Sequence, residues 1–220
     1  MSSILKFLRE NHILALIEQA ISKKKSRLCL NSFEIYEIPE LLYTCLTIEH
    51  LYLHRNKISV IPVQICQLLN LTTLTLDYNN ITSLPAEIGT LKNLVNLNLS
   101  YNPLGKLIPE IGDLENLEAF WCNRIELQEI PVEMAKLEKL DTFGARGNQI
   151  RPSSIVTFGT TTSRSSRPLC YGALRSSDID MDNSSIDSSE DWENSVNSSE
   201  LDVQYQSDEE RIDNEVCMPR

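Results

Sequence analysis

Histidine and glycine are scarce in this chain, and each scarcity closes off a class of chemistry. There are three histidines in 220 residues. His50 and His54 lie four apart on one strand face, but no third ligand of suitable type and spacing accompanies them. His12 falls in a separate N-terminal segment, so no metal site is expected. The seven glycines form no phosphate-cradling loop, and neither a nucleophile elbow nor an HExxH motif occurs. Carboxylates such as Glu126 and Glu129 are scattered over loops, where water solvates them. The expectation is a protein that is not an enzyme and carries no cofactor. The six cysteines, at 29, 45, 66, 122, 170 and 217, contain no C-x-x-C pair and no regular framework spacing, which reads as reduced thiols in an intracellular protein. No apolar run approaches the roughly 18 to 20 residues needed to cross a bilayer. Arg9, Glu10 and Glu18 interrupt the apolar N-terminus and no small-residue cleavage site follows, so a secretory signal is not expected either. The cytoplasm is the expected location, with the nucleus as the alternative.

Charge is unevenly spread. Residues 1–150 carry 14 Lys/Arg against 17 Asp/Glu, residues 151–175 carry four arginines and no acid, and residues 176–215 carry 14 acids against Arg211 alone. The net charge of −11 therefore belongs to the C-terminal stretch and not to the part that can build a core. This asymmetry predicts a globular region, a basic Ser/Thr/Arg-rich linker over 151–175 and an acidic, Ser-rich disordered tail over 176–220. No nucleic-acid partner is expected.

The globular region repeats itself. The segments Leu51-Tyr-Leu-His-Arg-Asn56-Lys-Ile58, Leu74-Thr-Leu-Asp-Tyr-Asn79-Asn-Ile81 and Leu97-Asn-Leu-Ser-Tyr-Asn102-Pro-Leu104 recur with a period of 23 residues. Weaker copies begin at Leu28, Phe120 and Phe143. The first five copies reach an Ile/Leu-Pro step at Pro39, Pro62, Pro85, Pro109 and Pro131, which reads as one extra residue before the proline of the fourth repeat. L-x-L alternation puts two apolar side chains on one face of a short strand. The Asn three residues later sits at a turn, where its side chain can satisfy backbone groups that no ladder reaches. Ile65, Leu68, Ile88, Leu91, Ile111 and Leu114 close each coil from the opposite, convex side. One coil cannot bury its own edge, so about six coils must stack into an α/β repeat, a solenoid over 26–150.

The pattern L-x-x-L-x-L-x-x-N-x-[IL]-x-x-[IL]-P-x-x-[IL]-x-x-L resembles the intracellular 23-residue leucine-rich repeats of Ras-associated scaffolds, plant Ras-group proteins and scribble-type adaptors. The resemblance covers about 125 residues. It implies a leucine-rich-repeat solenoid that binds protein, in the setting of a small GTPase, kinase or phosphatase pathway. The copies depart from the pattern where Phe33 and Ile125 replace the turn Asn, and where the sixth repeat lacks the Ile/Leu-Pro step. Residues 1–25 are expected to form a capping amphipathic helix begun by Asn11. Its stripe is Ile13, Leu14, Ile17, Ala20 and Ile21, with Lys23, Lys24 and Lys25 at its C-terminal end. A membrane-surface role for this stretch and a targeting role for the three lysines are the alternatives.

Strand alternation sorts the side chains into buried and presented sets. One presented row is Cys29, Tyr52, Thr75, Asn98, Trp121 and Gly144. The next is Asn31, His54, Asp77, Ser100, Asn123 and Arg146, with Arg55, Tyr78, Tyr101 and Arg124 beside it just before the turn. Tyr, Trp and Arg dominate interface energetics. Tyr52, His54, Arg55, Asp77, Tyr78, Asn98, Tyr101, Trp121, Arg124 and Arg146 are therefore the candidate binding residues, with Trp121 foremost. The competing role for Trp121 is packing against Arg124 or the C-terminal segment; for the tyrosines it is packing along the solenoid edge.

In the tail, Ser184, Ser188, Ser199 and Ser207 each have an acid three residues on, as an acid-directed kinase favours. If the tail competes for arginines on the concave face, deleting residues 176–220 raises partner affinity, most visibly at low salt. The function expected is an adaptor or regulatory subunit, monomeric when alone. A repeat domain followed by an acidic tail also resembles the acidic nuclear phosphoproteins that bind histones. A ubiquitin-ligase substrate receptor is a third possibility, for which no adaptor-docking motif is present.

Overall fold

The computed structural model describes residues 3–151. The linker from 152 onward, the acidic tail and the four candidate phosphorylation sites, Ser184, Ser188, Ser199 and Ser207, lie outside the described residues. One helix, α1 (Ser3–Ser22), precedes six three-residue strands: β1 (Arg27–Cys29), β2 (His50–Tyr52), β3 (Thr73–Thr75), β4 (Asn96–Asn98), β5 (Ala119–Trp121) and β6 (Thr142–Gly144). They form one parallel sheet in chain order, each residue paired with the one 23 positions on, from Arg27 with His50 to Trp121 with Gly144. The row Cys29, Tyr52, Thr75, Asn98, Trp121 and Gly144 is therefore a row of the sheet, and the row from Asn31 to Arg146 lies two residues beyond the strand ends.

Each connection carries one short 3-10 turn on the convex side: Glu40–Thr44, Val63–Gln67, Ala86–Thr90, Pro109–Asp113 and Val132–Lys136. In four of the five, the proline carbonyl accepts the amide three residues on, as from Leu42 to Pro39 and Ile65 to Pro62. The fourth repeat is not longer than the others. Its turn begins 23 residues after the previous one, and Ile108 occupies the place of the proline, accepting from Ile111. The extra residue expected there is a proline moved one position, to Pro109. Proline is tolerated in the first position of a turn because that N–H has no partner to lose.

Between sheet and turns runs one core. Leu51, Leu53, Leu74, Leu76, Leu97 and Leu99 enter from the strand side, Ile65, Leu68, Ile88, Leu91, Ile111 and Leu114 from the convex side, all essentially inaccessible. Fully burying one such side chain is worth about 1.5–3 kcal/mol, and no single coil could do so without a neighbour. Burial also pushes the Cys66 thiol up to about 11 and raises that of Cys45. The four described cysteines, 29, 45, 66 and 122, form no disulfide with one another and fall at four different positions of the repeat.

The N-terminal helix differs from expectation in two respects. It starts at Ser3, not at Asn11, whose side chain instead donates back to the Phe7 carbonyl from mid-helix. Its buried stripe is Ile13, Ile17 and Ala20, with Leu16 and Ile21 partly covered, while Leu14 is exposed along with Ile4, Leu5, Phe7 and Leu8. The stripe packs on β1 and the first 3-10 turn. The helix ends with Lys24 in the left-handed region (φ 48°), the Lys25 amide reaching the Ala20 carbonyl and the Lys24 amide that of Ile21. That double bond pattern satisfies the last helical carbonyls without glycine. Arg9 pairs with Glu34, which also accepts from Lys57 at 3.0 Å, and this hydrogen bond leads in holding the Glu34 carboxyl below its ordinary range. No helix among the described residues is long and apolar enough to cross a membrane.

Candidate protein-binding face

The turn at the end of each strand builds the face. Asn56 Nδ2 donates to the Leu30 and Leu53 carbonyls at 2.7 and 2.9 Å, and its Oδ1 accepts from the amides of Phe33 and Ile35. Asn79 and Asn102 repeat the donor pattern, each Oδ1 accepting one amide, from Ile58 and Ile81. Asn148 again accepts two, from Ile125 and Leu127. The doubled acceptors sit next to the two repeats that lack the turn Asn. In those repeats the residue after the replacement, Glu34 (φ 53°) or Glu126 (φ 63°), turns left-handed, which its counterparts elsewhere do not. Phe33 is spent on the cap, edge-on to the His12 ring at 5.6 Å.

Just before the position of the turn Asn the backbone is left-handed in every repeat, whether or not Asn follows: Ser32, Arg55, Tyr78, Tyr101, Arg124 and Gly147, with φ between 49° and 67°. A side-chain-bearing residue in this region costs of order 1–3 kcal/mol, except where Asn, Asp or Gly relieves it. Here four of the six positions hold arginine or tyrosine. The Tyr78 and Tyr101 rings stack at 4.2 Å, 9° from parallel. The Arg55 guanidinium lies 5.7 Å from the Tyr78 ring and that of Arg124 lies 5.6 Å from Tyr101. The result is a column, Arg–Tyr–Tyr–Arg, along one rim of the sheet. Burial first, then the neighbouring Tyr101, pushes the Tyr78 hydroxyl up to about 12. At Gly147 the column stops because the Arg124 stem fills the space, 2.6 Å from where a Cβ would stand.

The other candidates are placed less uniformly. Tyr52 faces the sheet side as expected but is buried, with the Arg27 guanidinium 4.9 Å over its ring, so it presents little area. Trp121 is half-buried and lies against Gly144, whose missing side chain makes room for the indole. Asn98 Oδ1 accepts the Ser100 amide, and buried Ser100 Oγ accepts from Asn123, so these three are committed to one another. His54 approaches Thr75 Oγ1 at 3.4 Å. Asp77, beside it, is raised to about 6 by burial, against the lowering influence of Arg55. Arg146 is exposed at the last strand. No group of three or more His, Cys, Asp or Glu side chains among the described residues is arranged to hold a metal.

Two elements of the face escaped the sequence reading although their spacing is visible in it. The row Arg27, His50, Thr73, Asn96, Ala119 and Thr142 opens each strand on the presented side. On the opposite rim runs a second ladder, Asn70, Asn93 and Asn116, each donating to the carbonyl 24 residues earlier. It borders a shallow polar groove flanked by Glu49 and Glu118.

A stacked parallel sheet of 23-residue coils, sealed by Asn ladders and offering one open face, defines the leucine-rich-repeat architecture. The family model described as a leucine-rich repeat region matches residues 40–204, and the chain belongs to that family. Among solved structures it is similar to the functional domain of InlJ from Listeria monocytogenes, described as including a cysteine ladder: 25% identity, 57% of this chain and 26% of that one, TM-score 0.49. It is also similar to the Leptospira interrogans leucine-rich-repeat protein LIC12759: 25% identity, 64% of this chain and 49% of that one, TM-score 0.44. This chain thus spans about a quarter and about half of their lengths. No curated protein matches it. Such repeats generally mediate protein–protein interaction and typically serve as non-enzymatic binding scaffolds.

Proposed function

We propose that this chain is an intracellular adaptor or regulatory subunit that holds a protein partner on the concave face of its solenoid. The observation that carries this reading is the column Arg55, Tyr78, Tyr101 and Arg124. At a turn position where the fold fixes only the left-handed φ angle, it keeps two large aromatic surfaces and two arginines that the core does not require. Trp121, at the next strand and nearer the middle of the sheet, adds a second aromatic anchor. The likeness of the repeats to Ras-group and scribble-type proteins supports a small GTPase, kinase or phosphatase pathway as the setting. The cytoplasm is the location that goes with it, and the nucleus the alternative. The test is affinity capture from native extract with the intact chain and with Trp121→Ala/Tyr78→Ala. The expected outcome is a partner retained by the first and lost by the second; equal retention by both removes the concave face from the account.

A second reading, binding of basic proteins such as histones, is supported by the 14 acids against one arginine over 176–215. The arginine-bearing concave face lends it no support. Histone capture that survives moderate salt would favour it, because purely electrostatic binding fades steeply as salt rises.

A further inference from the structure

The concave side is polarised, and its polarity selects a partner chemistry. Its four presented rows, including the residues before the turn, hold Arg27, Arg55, Arg124 and Arg146 against a single carboxylate, Asp77, whereas the remaining described surface is net acidic. The rim bearing the tyrosine stack is the basic one. The opposite rim carries Glu49, Glu118 and Asp141, one residue before the strands. No carboxylate among the described residues comes within ion-pair distance of Arg55 or Arg124. Both guanidiniums are exposed and lie in cation–π contact at the two ends of the stack, and Asp77 acts on Arg55 from beyond ion-pair distance.

Resting on the proposed binding role of this face, we infer that the column is a rail for an extended acidic segment of the partner protein, with two carboxylates four residues apart. The spacing argument is geometric. Arg55 and Arg124 stand three strands apart, about 14 Å, and an extended chain covers about 13–14 Å in four residues. The two carboxylates pair with the terminal guanidiniums while the segment between them lies over the tyrosine rings and their hydroxyls, which donate to its backbone. Guanidinium already braced by an aromatic ring loses little freedom on pairing, and planar carboxylate suits its fork of donors. A basic segment meets like charge along this rim, and an acidic one meets it along the other, so the polarity also sets which rim the segment follows.

The test uses the full chain and synthetic peptides in a Ser/Thr background, measured by fluorescence anisotropy at low and moderate salt. The probes carry two Glu at i and i+4, two Glu at i and i+2, or two Lys at i and i+4. The i,i+4 acidic peptide is expected to bind at least tenfold tighter than either other. Arg55→Asn/Arg124→Asn is expected to remove that advantage; asparagine tolerates the left-handed backbone, so this variant keeps the fold, which its thermal melt checks. Glu49→Lys/Glu118→Lys on the opposite rim is expected to leave the affinity within about twofold. Equal affinity for the three peptides, or a loss at Glu49 and Glu118 equal to that at the arginines, overturns the rail. So does hydrogen-exchange protection around Arg55 and Arg124 in the free chain that Arg55→Asn/Arg124→Asn abolishes, which would assign the rail to this chain's own acidic stretch. If native partner capture is lost with Trp121→Ala/Tyr78→Ala but kept with Arg55→Asn/Arg124→Asn, the binding face stands and the acidic rail falls.

Discussion

Two adjacent positions of the same turn have opposite fates in this molecule. Asn56, Asn79 and Asn102 are buried and spend every side-chain atom on backbone partners, whereas the residues just before them, Arg55, Tyr78 and Tyr101, project outward from strained backbone. The first position repeats one residue type because the backbone groups it satisfies are the same in each coil. The second varies because the core sees only its φ angle and not its side chain. What is uniform from coil to coil is thus what the fold needs, and what varies is what the molecule has to offer a partner.

The sharpest way to probe the uniform position is to remove it where it serves most groups. Asn56→Ala would leave the Phe33 and Ile35 amides and the Leu30 carbonyl without their partner, where Asn79→Ala strands the Ile58 amide alone, because Asn56 and Asn102 still donate to the Leu53 and Leu76 carbonyls. Each buried unsatisfied group costs about 1–3 kcal/mol, so Asn56→Ala is expected to lower stability by about 3–5 kcal/mol and Asn79→Ala by distinctly less, read from urea midpoints. Equal losses would mean that Glu34, in its left-handed turn, already carries the load in the first repeat.

Asp77 sits on the varied side yet pays a burial cost. Its folded value of about 6 lies above the ordinary 3.8, so between those values the folded state binds the extra proton and stability falls as pH rises. Above pH 6 the charged form is the disfavoured one. Asp77→Asn is therefore expected to stabilise the protein at pH 7.5, by up to about 3 kcal/mol for a shift of about two units, and to leave it unchanged at pH 3.5. Thermal melts at the two pH values check the sign. A variant equally stabilised at both would show that charge is not what Asp77 costs.

On the convex side a similar contrast separates the first coils from the later ones. Tyr43 and Cys66 occupy the turn position where the next two repeats carry Gly89 and Gly112. A Cβ on Gly112 would collide with the Glu133 carbonyl of the following turn, and one on Gly89 would stand 2.8 Å from that of Glu110. Gly112→Ala is expected to cost about 1–3 kcal/mol, more than Gly89→Ala, and the same substitution pair in urea measures it.

Much of this was legible in the sequence because the repeat is its own alignment. The strand register, the presented rows and the turn asparagines all follow from the 23-residue period. The period carries no information about backbone strain, so the left-handed column could be placed but not its stacking. It also misleads where a residue moves within a coil: Pro109 reads as an insertion, yet the turn it starts keeps register. The helix start at Ser3 was hidden because Asn11 is a good cap by type, while the apolar residues before it are exposed and form no stripe. The glycines at 89 and 112 are 23 apart, but only the neighbouring backbone shows why size matters there.

The smallest expected effect on stability tests the opening contrast most directly. Tyr101→Asn removes the stack on Tyr78 and the contact with Arg124, together worth about 1–2.5 kcal/mol. It also relieves a left-handed backbone that costs tyrosine about 1 kcal/mol or more and asparagine little. These terms oppose, so the urea midpoint is expected to move by about 1 kcal/mol or less while partner capture falls sharply. A large stability loss would make the tyrosine column part of the framework, and the division between neighbouring turn positions would have to be redrawn. Unchanged stability with unchanged capture would leave the strained column without a purpose that binding explains.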